Sequence, residues 1–151
     1  MIRTDSTTRH LAPTVFAAAL LVRLIWVALR WMRDGPTLQF PDEELHWQMA
    51  VNLVTKGEFV TDDGRYAARM PVYPLFLAIW APLGSIGVLL ARIAQCVLGA
   101  AAAGVGCEFA RRTLGRRAAI AAGVLLAVDP YAVFFSNLLL TEVLFTAIAV
   151  G

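Results

Sequence analysis

Residues 40–47 read Phe-Pro-Asp-Glu-Glu-Leu-His-Trp, so three carboxylates and an imidazole follow directly on a long apolar run. So many titratable groups in one short stretch mark it as the place where chemistry is expected. Proline is favoured at the first helical position, and acids are favoured in the first turn by the helix dipole. A helix is therefore expected to start at Pro41. Counted from there, Asp42 and His46 lie one turn apart, as do Glu43 and His46, so the three can converge on one side. Leu45, Met49 and Leu53, with Ala50 and Val54, form an apolar stripe on another side. The plainer alternative is a well-started amphipathic helix with solvated acids.

The elements that must hold this cluster are apolar. Hydrophobic residues make up 59 % of the chain and charged residues 16 %, against roughly 45–50 % and 25 % in an average soluble domain. The excess is concentrated in runs near the length of about 20 residues that crosses a bilayer as a helix. The composition points to an all-α integral membrane protein, a multi-span helical bundle with about four transmembrane helices at 11–32, 86–110, 117–134 and 138–151. A formal charge of +2 is too small to suggest nucleic acid, and the basic residues cluster beside apolar runs as topology signals do. Cys96 and Cys107 fall within one span and read as small hydrophobes rather than as a disulfide or a metal site.

The first run is longer than a secretory signal core and closes with Arg30 and Arg33, so it reads as an uncleaved anchor. Arg23 lies inside it, where an arginine is costly unless it faces other helices or water, and a structural contact and a functional role both stay open. The loop 33–70 holds the acidic cluster, is net acidic, and should be extramembrane. Its helix should end near Lys56 with Gly57 as a left-handed cap, and Asp63-Gly64 marks a tight turn. Residues 71–83 are too short and too proline-bounded for a full span and suggest an interfacial, half-embedded helix, with Tyr73 and Trp80 at headgroup level.

Four arginines in Arg111-Arg112-Thr113-Leu114-Gly115-Arg116-Arg117 predict a cytoplasmic loop, as Arg3 and Arg9 predict for the N-terminus. The loop 33–70 is then external or periplasmic, and Asp42, Glu43, His46, Arg92 and Glu142 all lie toward that face. Glu142, in an otherwise apolar run, is either a site acid or a helix-start acid capped by Thr141 or Asn137. The last run stops at Gly151 in mid-span, so the chain reads as the front portion of a longer protein.

Taken together, Pro41-Asp42-Glu43, Met70-Pro71-Val72-Tyr73-Pro74-Leu75-Phe76, Arg92-Ile93-Ala94-Gln95, the arginine loop and Thr141-Glu142 resemble the polyprenyl-phosphate-sugar-dependent glycosyltransferases of GT-C type. The nearest group is that of the protein O-mannosyltransferases and lipid A aminoarabinose transferases. The resemblance runs over nearly the whole chain, taken as the N-terminal part of a GT-C transmembrane domain. It implies transfer of a sugar from a polyprenyl-phosphate donor to an acceptor hydroxyl on the external face of the inner (plasma) membrane. Asp42 would be the general base, and Glu43, Arg69, Tyr73, Arg92 and Glu142 would contact donor or acceptor. A divalent metal is admitted, with Glu43 and His46 as candidate ligands. Further spans would be needed to build the donor pocket, so the chain alone is expected to be silent. A truncated gene or a split subunit would explain its length.

Two other classes compete. One is a non-catalytic membrane subunit that binds or assembles. The other is a small transporter using Arg23, Arg92 and Glu142, although no internal repeat supports that reading.

Overall fold

A computed structural model describes residues 10–66 and 69–150 of the chain. Arg3 and Arg9, the basic head expected on the cytoplasmic side, lie outside the described residues. The described residues are helical apart from connecting loops and a single antiparallel bridge between Val60 and Tyr66. In order, the helices are α1 (Leu11–Asp34), α2 (Pro41–Lys56), α3 (Val72–Ala78), a 3-10 turn at Ala81–Leu83, α4 (Gly84–Thr113), α5 (Arg116–Val128), α6 (Pro130–Phe135) and α7 (Glu142–Val150).

Two of these, α1 and α4 with its preceding 3-10 turn, are long and apolar enough to cross a membrane. They pack on each other through small residues. Ala19 of α1 is fully buried against Ala100 and Ala103 of α4 and Ala127 of α5. In a bilayer, where lipid tails are as apolar as leucine, close approach of small side chains is what holds helices together. Nearer the arginine loop, Cys107, Ala110 and Ala119 form a second cluster with Leu11 and Val15. The larger side chains Leu21, Ile25 and Leu29 of α1 point outward instead, as they do when the surroundings are hydrocarbon.

The segment expected to hold spans at 117–134 and 138–151 is divided into three shorter helices. Asp129 takes an extended backbone conformation, and Pro130, which has no N–H, begins α6. Proline cannot continue the α5 ladder, so the carbonyls of its last turn lose their partners. Arg23 replaces them. Its Nη1 donates to Ala127 O at 3.3 Å and to Ala19 O at 3.0 Å, its Nη2 to Leu126 O at 3.3 Å, and its Nε to Ser136 Oγ at 3.2 Å. The arginine within the first run is thus an interhelical fastener over a helix break. Gly99 provides its space, because a Cβ there would sit 3.1 Å from both Arg23 Nε and Ser136 Oγ.

The element at 71–83, expected to be half-embedded, is a broken pair, α3 and the 3-10 turn, followed at once by Gly84 with φ of 55°. Tyr73, Leu77 and Ala81 pack with Ala50 of α2, Val88 and Ala91 of α4, and Leu139. This cluster docks the loop that carries α2 on the end of α4.

Candidate functional site

Helix α2 begins and ends where its sequence dictates. Pro41 is its first residue, Glu43 Oε2 accepts the Phe40 N–H at 3.2 Å, and Gly57 closes the helix at φ of 70°. Glu43 thereby satisfies one of the donors that a helix start leaves unpaired. The expected apolar stripe is partly the buried face: Met49 and Ala50 are fully buried, Leu45 and Leu53 half-buried, and Val54 is 45 % exposed. Beside them the same face buries Glu43, His46 and Asn52. Of the three acids at the helix start, Glu43 is turned inward and Asp42 and Glu44 outward.

Glu43 is fully buried. Its Oε2 also accepts from Gln39 N at 2.8 Å, and its Oε1 from Leu139 N at 2.8 Å. Arg30 Nη2 of α1 lies 3.8 Å from Oε2, and Arg92 Nη2 of α4 lies 4.0 Å from Oε1. One carboxylate therefore gathers three backbone N–H groups and two guanidinium groups, and through them α1, α2, α4 and the 136–140 connection.

The two arginines complete the arrangement. Arg30 Nη1 donates to Asn137 O. Arg92 donates to Thr37 O at 2.8 Å and Gly35 O at 3.3 Å. Gln95, one turn further along α4, donates to Leu138 O at 2.9 Å. Buried irregular backbone is tolerable only when its polar groups find partners within the protein. Every one of these side chains serves that need, either for the 34–40 turn or for the 136–140 connection.

Asp42 lies on the opposite face, exposed and ion-paired with the half-buried Arg69. His46 is buried beside it, with its ring edge-on to Tyr73 at a centroid distance of 5.0 Å. Its Nδ1 has no hydrogen-bond partner among the described residues. Burial pulls the His46 pKa below the ordinary value of 6.5, and the positive charge of Arg69 adds to that, against a smaller opposing pull from Asp42. The imidazole is accordingly held neutral. Glu142 is exposed in the first turn of α7, and Thr141 O accepts the Phe145 N–H at 2.9 Å as the helix-start carbonyl.

The structure thus brings Asp42, Arg69 and His46 together, and below them gathers Glu43, Arg92 and Arg30; the buried Tyr73 lies between the two groups, its ring against His46 and its hydroxyl near Glu43 and Arg92. Glu142 opens instead on a cleft of about 330 Å³ that also reaches Arg23, Asp129 and Ser136. Glu43 and His46, the candidate metal ligands, do not form a donor set. Both Glu43 oxygens accept backbone N–H bonds, and no group of three potential ligands comes together among the described residues.

Arg30, Gln95 and Asn137 were not among the expected site residues. Arg30 had a signal, since it stands seven residues from Arg23 and shares its buried face with Ala19 and Val27. Gln95 had one too, three residues from Arg92 in an apolar run. No family model, curated protein or solved structure matches the chain.

Proposed function

We propose that the chain is the N-terminal part of a membrane glycosyltransferase of GT-C type, with Asp42 as the base that activates the acceptor. The reading supposes that residues 116–135 cross as a helix broken at Asp129-Pro130, that α7 returns into the membrane, and that the 34–69 region faces outward. The single observation carrying it is the division of labour within Pro41-Asp42-Glu43. Glu43 is consumed as a strut, whereas the adjacent Asp42 carboxylate is exposed, next to Arg69 and to a neutral histidine.

In this reading Asp42 removes the proton of an acceptor hydroxyl while that oxygen bonds to the anomeric carbon. The bond from that carbon to the lipid phosphate breaks with inversion, and the phosphate leaves with the bonding pair. Arg69 is the cation placed to meet the phosphate, exchanging Asp42 for it as the acceptor arrives. Tyr73 is buried beneath that corner and backs the His46 ring edge-on. Arg92 acts one layer below by fixing the backbone on which α2 rests. Donor sugar and acceptor are both supplied from outside this chain.

The non-catalytic reading also has an observation in its favour, namely that most of the buried charge here is spent on holding backbone. Sugar transfer from a radiolabelled polyprenyl-phosphate donor, measured in membranes holding the full gene product, separates the two. Transfer that is lost in Asp42→Asn and kept in Glu44→Gln supports the enzyme. Absence of transfer in the unsubstituted protein supports the subunit.

A further inference from the structure

At the end of the bundle opposite α2, a groove of about 470 Å³ opens between α1 and α4. Its floor is Ala12, Phe16, Ala101, Gly104 and Val105, and its rim is Phe109 with Glu108 and Arg112. Gly104 makes the floor low, because a Cβ there would already touch Ala12 O at 3.4 Å. That size falls within the roughly 300–1,000 Å³ of clefts that hold small ligands.

The rim itself pairs one acid, Glu108, with one arginine, Arg112, and the end of α4 beside it is cationic through Arg111. Glu108 lies between two arginines, accepting from Arg111 Nε and Nη2 at 2.7 Å each and from Arg112 Nε at 2.6 Å. One carboxylate against two guanidinium groups leaves a net positive charge. Arg112 meets Glu108 through Nε alone, and its side chain is 72 % exposed, so its outer nitrogens face the surroundings. Just beyond, α5 begins with Arg116 and Arg117 and has no acid in its first turn. The helix dipole makes that end positive as well, so the two arginines add to the positive charge at this end of the bundle.

We propose that this groove holds an anionic phospholipid of the leaflet on the arginine-loop side. Its phosphate would meet the outer nitrogens of Arg112, and one acyl chain would lie along Phe16, Ala101, Gly104 and Val105. A headgroup at the mouth and a chain in the groove match the polarity of the site from end to end, as basic pockets between membrane helices do. The proposal requires α1 and α4 to cross a membrane but does not depend on the glycosyltransferase reading.

The test is native mass spectrometry of the full chain in detergent, titrated with dioleoylphosphatidylglycerol or dioleoylphosphatidylcholine. The anionic lipid should bind more tightly. Arg112→Gln should weaken it about fivefold, the effect of one arginine at an anionic membrane surface, and leave the zwitterionic lipid unchanged. Val105→Trp, at a 42 % exposed position, fills the groove and should weaken both lipids with every arginine in place. Inorganic phosphate should not compete at millimolar concentration. Equal retention of the two lipids would overturn the proposal, as would insensitivity to both variants, full competition by phosphate, or loss through Arg117→Gln but not through Arg112→Gln.

Discussion

Glu43 Oε1 accepts the backbone N–H of Leu139 at 2.8 Å, across 96 residues of sequence. That bond joins the start of α2 to an irregular connection between α6 and α7, and two arginines stand within 4.0 Å of the same carboxylate. A buried carboxylate so placed serves the fold before it serves any reaction.

Removing it should therefore be costly. Glu43→Ala leaves Gln39, Phe40 and Leu139 N–H groups without acceptors and two guanidinium groups without a counter-charge. Breaking a buried ion pair from one side costs about 3–5 kcal/mol. Thermal unfolding in detergent should show Glu43→Ala strongly destabilised and Glu43→Gln less so, since Gln keeps one acceptor oxygen. Glu44→Gln, at an exposed position, should lie within about 0.5 kcal/mol of the unsubstituted protein. Equal stability of Glu43→Ala and Glu44→Gln would remove the strut.

Gly99 gives a second, independent reading of the buried network. A methyl group there would stand 3.1 Å from both partners of the Arg23–Ser136 hydrogen bond. Neither partner can yield freely, because Arg23 also holds the carbonyls of Leu126 and Ala127. Gly99→Ala is expected to destabilise by about 1–3 kcal/mol, the usual range for overpacking. A gain in thermal stability would show instead that the arginine can shift without loss.

His46 predicts a pH dependence. Its folded-state pKa is depressed by burial and by Arg69, so within the window from 6.5 down to that lowered value the unfolded chain binds more protons than the folded one. The stabilisation is complete above 6.5 and is lost as pH falls through the folded-state value. Unfolding temperature should be lower at pH 5 than at pH 7.5, and His46→Gln should flatten that difference. An unaltered slope in the variant would assign the dependence to other groups.

The ends and breaks of the helices were legible in the sequence because they are local. Pro41 starts α2, Gly57 ends it, and the prolines around 71–83 give a broken, half-length element. The facing of α2 was legible in part. Met49 and Ala50 of its apolar stripe are buried, whereas the burial of Glu43 and His46 beside them and the exposure of Val54 did not follow from the stripe. The partners that hold Glu43 inward, the Leu139 N–H and the arginines of α1 and α4, are all distant in sequence. Over 117–151 the break at Asp129-Pro130 is likewise local and legible, because Pro130 has no N–H to donate. The irregular 136–140 connection was not, since the side chains that hold it, Arg30, Glu43 and Gln95, come from elsewhere in the chain.

Sidedness can be read directly by cysteine labelling in intact cells, after Cys96 and Cys107 are replaced. A cysteine at Asp63, exposed in the 61–64 turn, should react with an impermeant reagent from outside, and one at Thr113 should not. The reverse pattern would place the acidic cluster on the cytoplasmic side, where the proposed chemistry has no external acceptor.

The most direct test of the account is Asp42→Asn in the full gene product, scored in parallel for sugar transfer from a polyprenyl-phosphate donor and for thermal unfolding. Asp42 is exposed and its ion pair with Arg69 is a surface one, so the exchange should change stability by no more than about 1 kcal/mol. Loss of a general base should lower the rate by about 10²–10⁴. Transfer lost with unfolding unchanged is the predicted result. Transfer at the unsubstituted rate would contradict it and leave Asp42 as a solvated acid at a helix start.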